Sequence, residues 1–318
     1  MHVGKWNGRF RRLAEIAIAT ITAQSKSMKL VRLICAIAVL LLPLAPSCAE
    51  QPNSALQVGD TFELTMLRES SSKGSDGSSS STHDKDTLVE RVVAVRPDGL
   101  ELVYDLPDGA SAEERTDNWQ LPARVFEPLE GQPQLLNLSE LETRRDAWLK
   151  IAKLPNEACG HWIFTWNAFR IECDPQSVLG IIEAYDLRVP GLRGGALFRD
   201  VHGLEPAPLS KGATGQDGTS YTAELVIDPD AIRRENAESD VVVGEIMREP
   251  VTLEEALRKH AKEDVSGTIS VTLYADATGN VRRRLKVEKI ETKTPDGTVE
   301  TRTVTETLER KLISYLKT

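Results

Sequence analysis

Apolar and polar positions alternate with a period of two over much of the chain beyond residue 60. Phe62, Leu64 and Met66 alternate with Thr61, Glu63 and Thr65, the pattern of a strand with one buried face. Residues 88–95 lead into Pro97-Asp98-Gly99, after which Leu100, Leu102, Tyr104 and Leu106 alternate. Proline presets φ in such a turn and glycine supplies a positive φ, so a hairpin is expected. The same tripeptide recurs at Pro107-Asp108-Gly109 and Pro295-Asp296-Gly297. Residues 119–126 predict a strand, placed at an edge by Pro122, and residues 181–189 another. A second meander follows: Tyr221, Ala223, Leu225 and Ile227; then Ile269, Val271 and Leu273; a turn over residues 276–280; and a return through Val281, Arg283, Leu285 and Val287.

Helical signals are fewer. Ser139 and Glu142 have capping-box spacing, predicting a helix to Lys153 with Leu141, Trp148, Leu149 and Ala152 on one face. Asp228-Pro229 opens a short helix, and Thr252 with Glu255 forms a second capping box. Leu308, Leu312 and Leu316 predict a terminal helix. Residues 69–86 are rich in Ser and Gly and predict a flexible loop. Ser70 and Lys73 there have Ser-x-x-Lys spacing, but the companion motifs of penicillin-binding enzymes are missing. Residues 206–218 predict a linker between a β-rich region, 50–205, and an α+β region, 219–318. Residues 299–305, polar on both faces, predict an exposed strand. Together these signals give an α+β fold: antiparallel β-meanders, as a curved sheet or half-barrel, with a few short helices packed on them.

The first 49 residues change the picture of charge and compartment. Residues 28–49 read as a secretory signal, with Lys29 and Arg32 before an uncharged run of 17 residues. That run is short of the ~20 residues of a membrane anchor, and Ser47-Cys48-Ala49 suits signal-peptidase cleavage. Lipidation at Cys48 and an uncleaved signal are the alternatives. Residues 1–27 read as a spurious or disordered extension, although Lys5, Arg9, Arg11, Arg12 and Lys26 would also suit membrane contact. The first 49 residues hold seven Lys/Arg and one Glu, which leaves 32 basic and 47 acidic residues beyond them, a net of −15. That charge argues against nucleic acid as a partner. Membrane contact is expected only through Cys48 or an uncleaved signal.

Export also decides the cysteines. Beyond the signal only Cys159 and Cys173 remain, and an oxidising compartment favours a disulfide between them. His161 is the one histidine nearby, so no metal is expected, nor any cofactor. The segment 158–174, ACGHWIFTWNAFRIECD, is symmetric about Trp166. A hairpin with facing cysteines pairs His161 with Ile171, Trp162 with Arg170 and Ile163 with Phe169. One face then carries Trp162, Phe164 and Trp166 with Arg170 opposite: an aromatic platform for a hydrophobic ligand, or a hairpin buried on both faces. No catalytic residues are expected. His83, His161, His202 and His260 are far apart, no Gly-x-Ser-x-Gly elbow occurs, and Asp228 and Asp230 are explained by capping.

The run Val58-Gly59-Asp60-Thr61-Phe62, the segment 86–92 (DTLVERV) and the segment 159–175 resemble a family of exported bacterial proteins, a resemblance that implies no known activity. In architecture alone, the order of elements resembles the half-barrels of periplasmic lipoprotein carriers. Three functions follow as expectations. The first is a non-catalytic periplasmic protein, released or lipid-anchored in the envelope, that binds a hydrophobic ligand or an envelope protein. The second is a hydrolase assembled only in the fold. The third is an assembly factor that uses a sheet edge near Val299.

Overall fold

The computed structural model describes residues 56–164, 168–215 and 218–314. The signal at 28–49, the extension before it, Cys48 and Trp166 lie outside the described residues. Five short helices pack on one open antiparallel sheet of ten strands. The α+β expectation holds.

The strands, in chain order, are β1 (Thr61–Gly74), β2 (Ser79–Arg96), β3 (Gly99–Asp105), β4 (Ala123–Pro128) and β5 (Gln134–Leu135). Two small hairpins, β6 (Trp162–Phe164) with β7 (Ala168–Arg170) and β8 (Leu197–Phe198) with β9 (Ala207–Pro208), stand outside the large sheet. The sheet resumes with β10 (Ser210–Gly215), β11 (Gly218–Val226), β12 (Asp264–Ala275), β13 (Val281–Lys293) and β14 (Val299–Ser314). Its order is β10-β11-β12-β13-β14-β1-β2-β3-β4-β5. The two meanders therefore meet where β14 pairs with β1, with Thr61 opposite Ser314 and Gly74 opposite Glu300.

The helices are α1 (Ala112–Asp117), α2 (Leu138–Ala152), α3 (Ser177–Ala184), α4 (Pro229–Met247) and α5 (Leu253–His260). The caps predicted for α4 and α5 are present: Asp228 accepts from the Asp230 amide, and Thr252 and Glu255 form a reciprocal box. The box predicted at Ser139 does not form, because α2 starts two residues earlier, with Asn137 at its cap. The Asn137 side chain instead accepts from the Arg124 amide and donates to the Pro122 carbonyl, tying α2 to β4. A box that the sequence reading passed over, Ser111 with Glu114, starts α1.

Four local expectations are overturned. The Ser-rich stretch 69–86 is not a loop but the far half of the β1–β2 hairpin, paired residue by residue, with Ser72 and Ser80 hydroxyls 2.9 Å apart. Leu308 and Leu312 lie on strand β14, not on a helix. Residues 177–184 form a helix where a strand was expected nearby. The stretch read as a linker contains β9 and β10. Of the three Pro-Asp-Gly turns, only Gly297 takes a positive φ, at 90°. Gly99 meets a different demand: a Cβ there would lie 2.2 Å from the Glu127 carbonyl oxygen on β4.

Paired residues in an antiparallel sheet share a face. The buried face carries Phe62, Leu64 and Met66 of β1, Leu308 of β14, Ile269, Val271 and Leu273 of β12, and Leu102 and Tyr104 of β3. The register puts Arg284, Lys286, Glu288 and Ile290 of β13 on this same face, opposite Leu308, Glu306, Val304 and Arg302. The set read as the returning strand (Arg283, Leu285, Val287) lies on the outer face. Helices cover the inner face: Arg284 donates to the Ala184 carbonyl at the end of α3, and Arg302 reaches Glu235 of α4.

Candidate functional site

The disulfide is present. Cys159 and Cys173 are bonded with their Cα atoms 5.5 Å apart. The hairpin register is the predicted one: Trp162 opposite Arg170, Ile163 opposite Phe169, and the His161 and Ile171 backbones hydrogen-bonded. Phe169 and Ile171 are buried on the core side, while Trp162 and Ile163 are half-buried. Phe164 sits opposite Ala168. The Arg170 guanidinium donates to the Gly160 carbonyl and pairs with Glu172.

One side chain ties this hairpin to the helical layer. Oε1 of Glu245, on α4, accepts from the Trp162 amide and lies 3.0 Å from His161 Nδ1. The C-terminal half of α4 reads Val241-Val242-Val243-Gly244-Glu245-Ile246-Met247. Gly244 is buried against the 249–251 turn, where a Cβ would come 2.8 Å from the Glu249 carbonyl oxygen. Val243 and Met247 face outward, 56% and 65% exposed. The last turn of α4 thus stands beside the hairpin through Glu245, with Val243 and Met247, each two residues from it, on the turn's other side.

A second cluster is built from groups that no sequence motif connects. Lys286 Nζ, on β13, lies 2.6 Å from Asp200 Oδ2 and 2.8 Å from Glu288 Oε1. His202 Nδ1 lies 3.0 Å from Glu288 Oε1, and its Nε2 lies 3.5 Å from Glu235. Arg302 completes the group at 3.3 Å from Glu235. Desolvation opposes charge on His202, Lys286, Glu288 and Arg302, yet their pairing outweighs it. Glu288, 7% exposed, is pushed up by burial, but the His202 hydrogen bond and the Lys286 charge bring it well below the carboxylate range. Lys286 is held above its ordinary value by Glu288 and Asp200 despite its burial.

Asp200, His202 and Glu288 present ligand atoms within 4.8 Å of one another, a set able to hold a divalent ion. Lys286 bonds two of the three and supplies the positive charge there itself. The cluster fastens the loop around residue 200, and α4, onto the sheet. The sequence missed it because its members span residues 200 to 302. The one available signal was the run Arg282-Arg283-Arg284-Leu285-Lys286-Val287-Glu288, too charged for a strand with one apolar face.

No protein-family model and no curated protein sequence matches the chain. Among solved structures it is similar to lipovitellin, in a study of lipid–protein interactions, with a TM-score of 0.34 and 8% identity over 82% of this chain. The chain spans about a quarter of lipovitellin's length, 26%. It is also similar to an outer membrane channel from Pseudomonas putida F1, with a TM-score of 0.23 and 8% identity over 84% of this chain and all of that one. Likenesses this weak carry no functional argument. Among the described residues no helix is long and apolar enough to cross a membrane. The disulfide fits an oxidising, extracytoplasmic compartment.

Proposed function

We propose that the protein is a non-catalytic periplasmic binding protein that takes a hydrophobic ligand, or an apolar segment of an envelope protein, on the disulfide hairpin and the adjoining end of α4. One observation carries this reading: Val243 and Met247 are exposed on the helix whose Glu245 holds the Trp162 amide. Rigid aromatic and flexible thioether side chains both suit apolar ligands. The disulfide and the Glu245 tether fix the hairpin against the helix, which lowers the ordering cost of binding. Trp162, Phe164 and Trp166 would supply the aromatic contacts. Arg170, held by Gly160 and Glu172, would border them.

The two alternatives receive less support. In a hydrolase with a histidine base, a ring nitrogen faces a nucleophile; both nitrogens of His202 face carboxylates, and the neighbour of His161 is the carboxylate of Glu245. The edge reading fails at its chosen place, because β14 is paired with β13 on one side and β1 on the other. The sheet's edge strands are β10 and β5.

Titrating the purified chain with a fluorescent fatty acid tests the reading. Saturable binding is expected, weakened at least about tenfold in Val243→Asp/Met247→Asp, which places two charges in an apolar contact. No saturable binding, or unchanged binding by the variant, would refute it.

A further inference from the structure

Helix α2 carries buried donors that no described residue accepts. Trp148, 4% exposed, has its indole Nε1 buried with no hydrogen-bond partner among the described residues. Arg144, one turn earlier, has Nε and Nη1 in the same condition. Residues four apart share one face of a helix, with Cβ atoms roughly 5–6 Å apart. Both side chains also meet the same short segment before β4. Arg144 Nη2 donates to the Pro122 carbonyl at 2.7 Å, and the Trp148 ring lies 6.4 Å from the buried Trp119 ring, tilted by 30°.

The acceptors and charges around this spot are engaged elsewhere. The Pro122 carbonyl also accepts from Asn137, and Gln120 donates across to Ser177 Oγ at the start of α3. Glu140 lies 3.4 Å from Arg144 Nη2 but is 60% exposed. Asp105 is held by Arg115 and the Leu106 amide. Burial pulls the Arg144 guanidinium down from its ordinary value more than the charges of Glu140 and Asp105 raise it. The cation is therefore undercompensated where it stands.

These groups specify an occupant. All the unpartnered atoms are N–H donors, and two of them belong to a cation. A water molecule offers lone pairs but leaves the buried charge without a counterion. A carboxylate supplies two acceptor oxygens and one negative charge, and its bonds to a guanidinium are charge-assisted. A phosphate would call for a second cation, and the adjacent Arg145 turns instead to the Cys173 carbonyl and Asp146. The Trp119 and Trp148 rings give an apolar wall for the carbon that bears the carboxylate. The Arg144 side chain is 24% exposed, which leaves an approach from solvent along it.

We propose that α2 and the 119–122 segment form a carboxylate-binding site, in which one oxygen accepts from the Arg144 guanidinium and the other from the Trp148 indole. The ligand class is a monocarboxylate, either a small free acid or the acid end of an acyl chain. The site shares no residue with the disulfide hairpin, so its failure leaves the reading above untouched.

The test follows the indole N–H resonance of Trp148, assigned with Trp148→Phe, in the purified chain at about pH 7, where carboxylates are charged. Sodium acetate and sodium octanoate are titrated separately, against sodium chloride at equal ionic strength and acetamide as a neutral acceptor. A saturable downfield shift is expected with a carboxylate and none with chloride or acetamide. A response to acetate shows that the carboxylate alone is recognised, and a response to octanoate alone adds the chain to the site; either supports the proposal. In Arg144→Gln, which keeps donors but no charge, the apparent Kd is expected to rise at least about tenfold. A resonance unmoved by both carboxylates, or moved equally by chloride or acetamide, overturns the proposal, as does an unchanged Kd in the variant. The first two readouts come from the unmutated protein, so the outcome stands even where Arg144→Gln does not fold.

Discussion

The Lys286 ammonium lies 2.6 Å from the Asp200 carboxylate, joining the middle of the sheet to a loop outside it. Removing one partner of a buried charge pair costs more than the pair contributes, because the other charge is left without compensation. Lys286→Met would leave Asp200 and Glu288 both facing an apolar side chain. The expected loss is about 3 kcal/mol or more of unfolding free energy, read from urea denaturation. A loss below about 1 kcal/mol, the scale of a surface pair, would show the cluster to be solvated.

Two carboxylates set opposite slopes in acid. Glu288 is depressed on folding, so the stability it contributes is present above the unfolded carboxylate pKa and is lost as pH falls below it. Asp186, just beyond α3, is pushed up to about 6 by burial, so its contribution falls as pH rises from about 4 to about 6. Denaturation midpoints against pH should therefore show a shallower acid limb in Glu288→Gln, and a smaller decline between about pH 4 and pH 6 in Asp186→Asn. An unchanged profile in either variant contradicts its assignment.

The Cys159–Cys173 bond closes a loop with a separation of 14 residues. Loop-closure entropy for that length predicts about 3 kcal/mol of stabilisation. Reduction, or Cys159→Ser with Cys173→Ser, should lower the urea midpoint accordingly and raise amide exchange in β6 and β7. If the midpoint moves with no change in hairpin exchange, the hairpin is held by its packing on α4 instead.

Gly99 opens β3 where the β4 backbone passes closest. With a Cβ only 2.2 Å from the Glu127 carbonyl oxygen and 2.8 Å from Pro128 Cα, one strand has to shift. Gly99→Ala should cost about 1–3 kcal/mol, as overpacking does. Gly109→Ala, with nothing within 4 Å, is the control and should be neutral.

Residue pattern told the fold class, the β12–β13 turn, the caps of α4 and α5, and the disulfide hairpin with its register. The misses have physical causes. A spacing of four returns a residue to the same side of a helix and of a strand, so Leu308 and Leu312 could not distinguish the two. The serines of 70–72 and 79–81 carry no strand propensity of their own. Ser79, Ser80 and Ser81 pair with β1, and Ser70, Ser71 and Ser72 find their second set of backbone partners on β14, more than 200 residues away in the chain. On β13 the apolar face was taken as the buried one. The charged face is buried because Asp200, His202, Glu235 and Glu306 compensate it, and none of these is a neighbour in sequence. The hairpin was visible as a candidate site, but its partner Glu245 was one carboxylate among 47.

The pairing of β1 with β14 also sets an order of events. Thr61 finds Ser314 only when nearly the whole described chain is at hand, and long-range closure of this kind is slow. Each meander can zip locally, strand on neighbouring strand, but the two remain half-sheets with raw edges until that seam shuts. A chain threaded through a membrane from its N-terminal end would thus keep β1 waiting, unpaired on one side, for the last strand to arrive. During that interval it would be open to a chaperone, to a protease, or to the β14 of another copy.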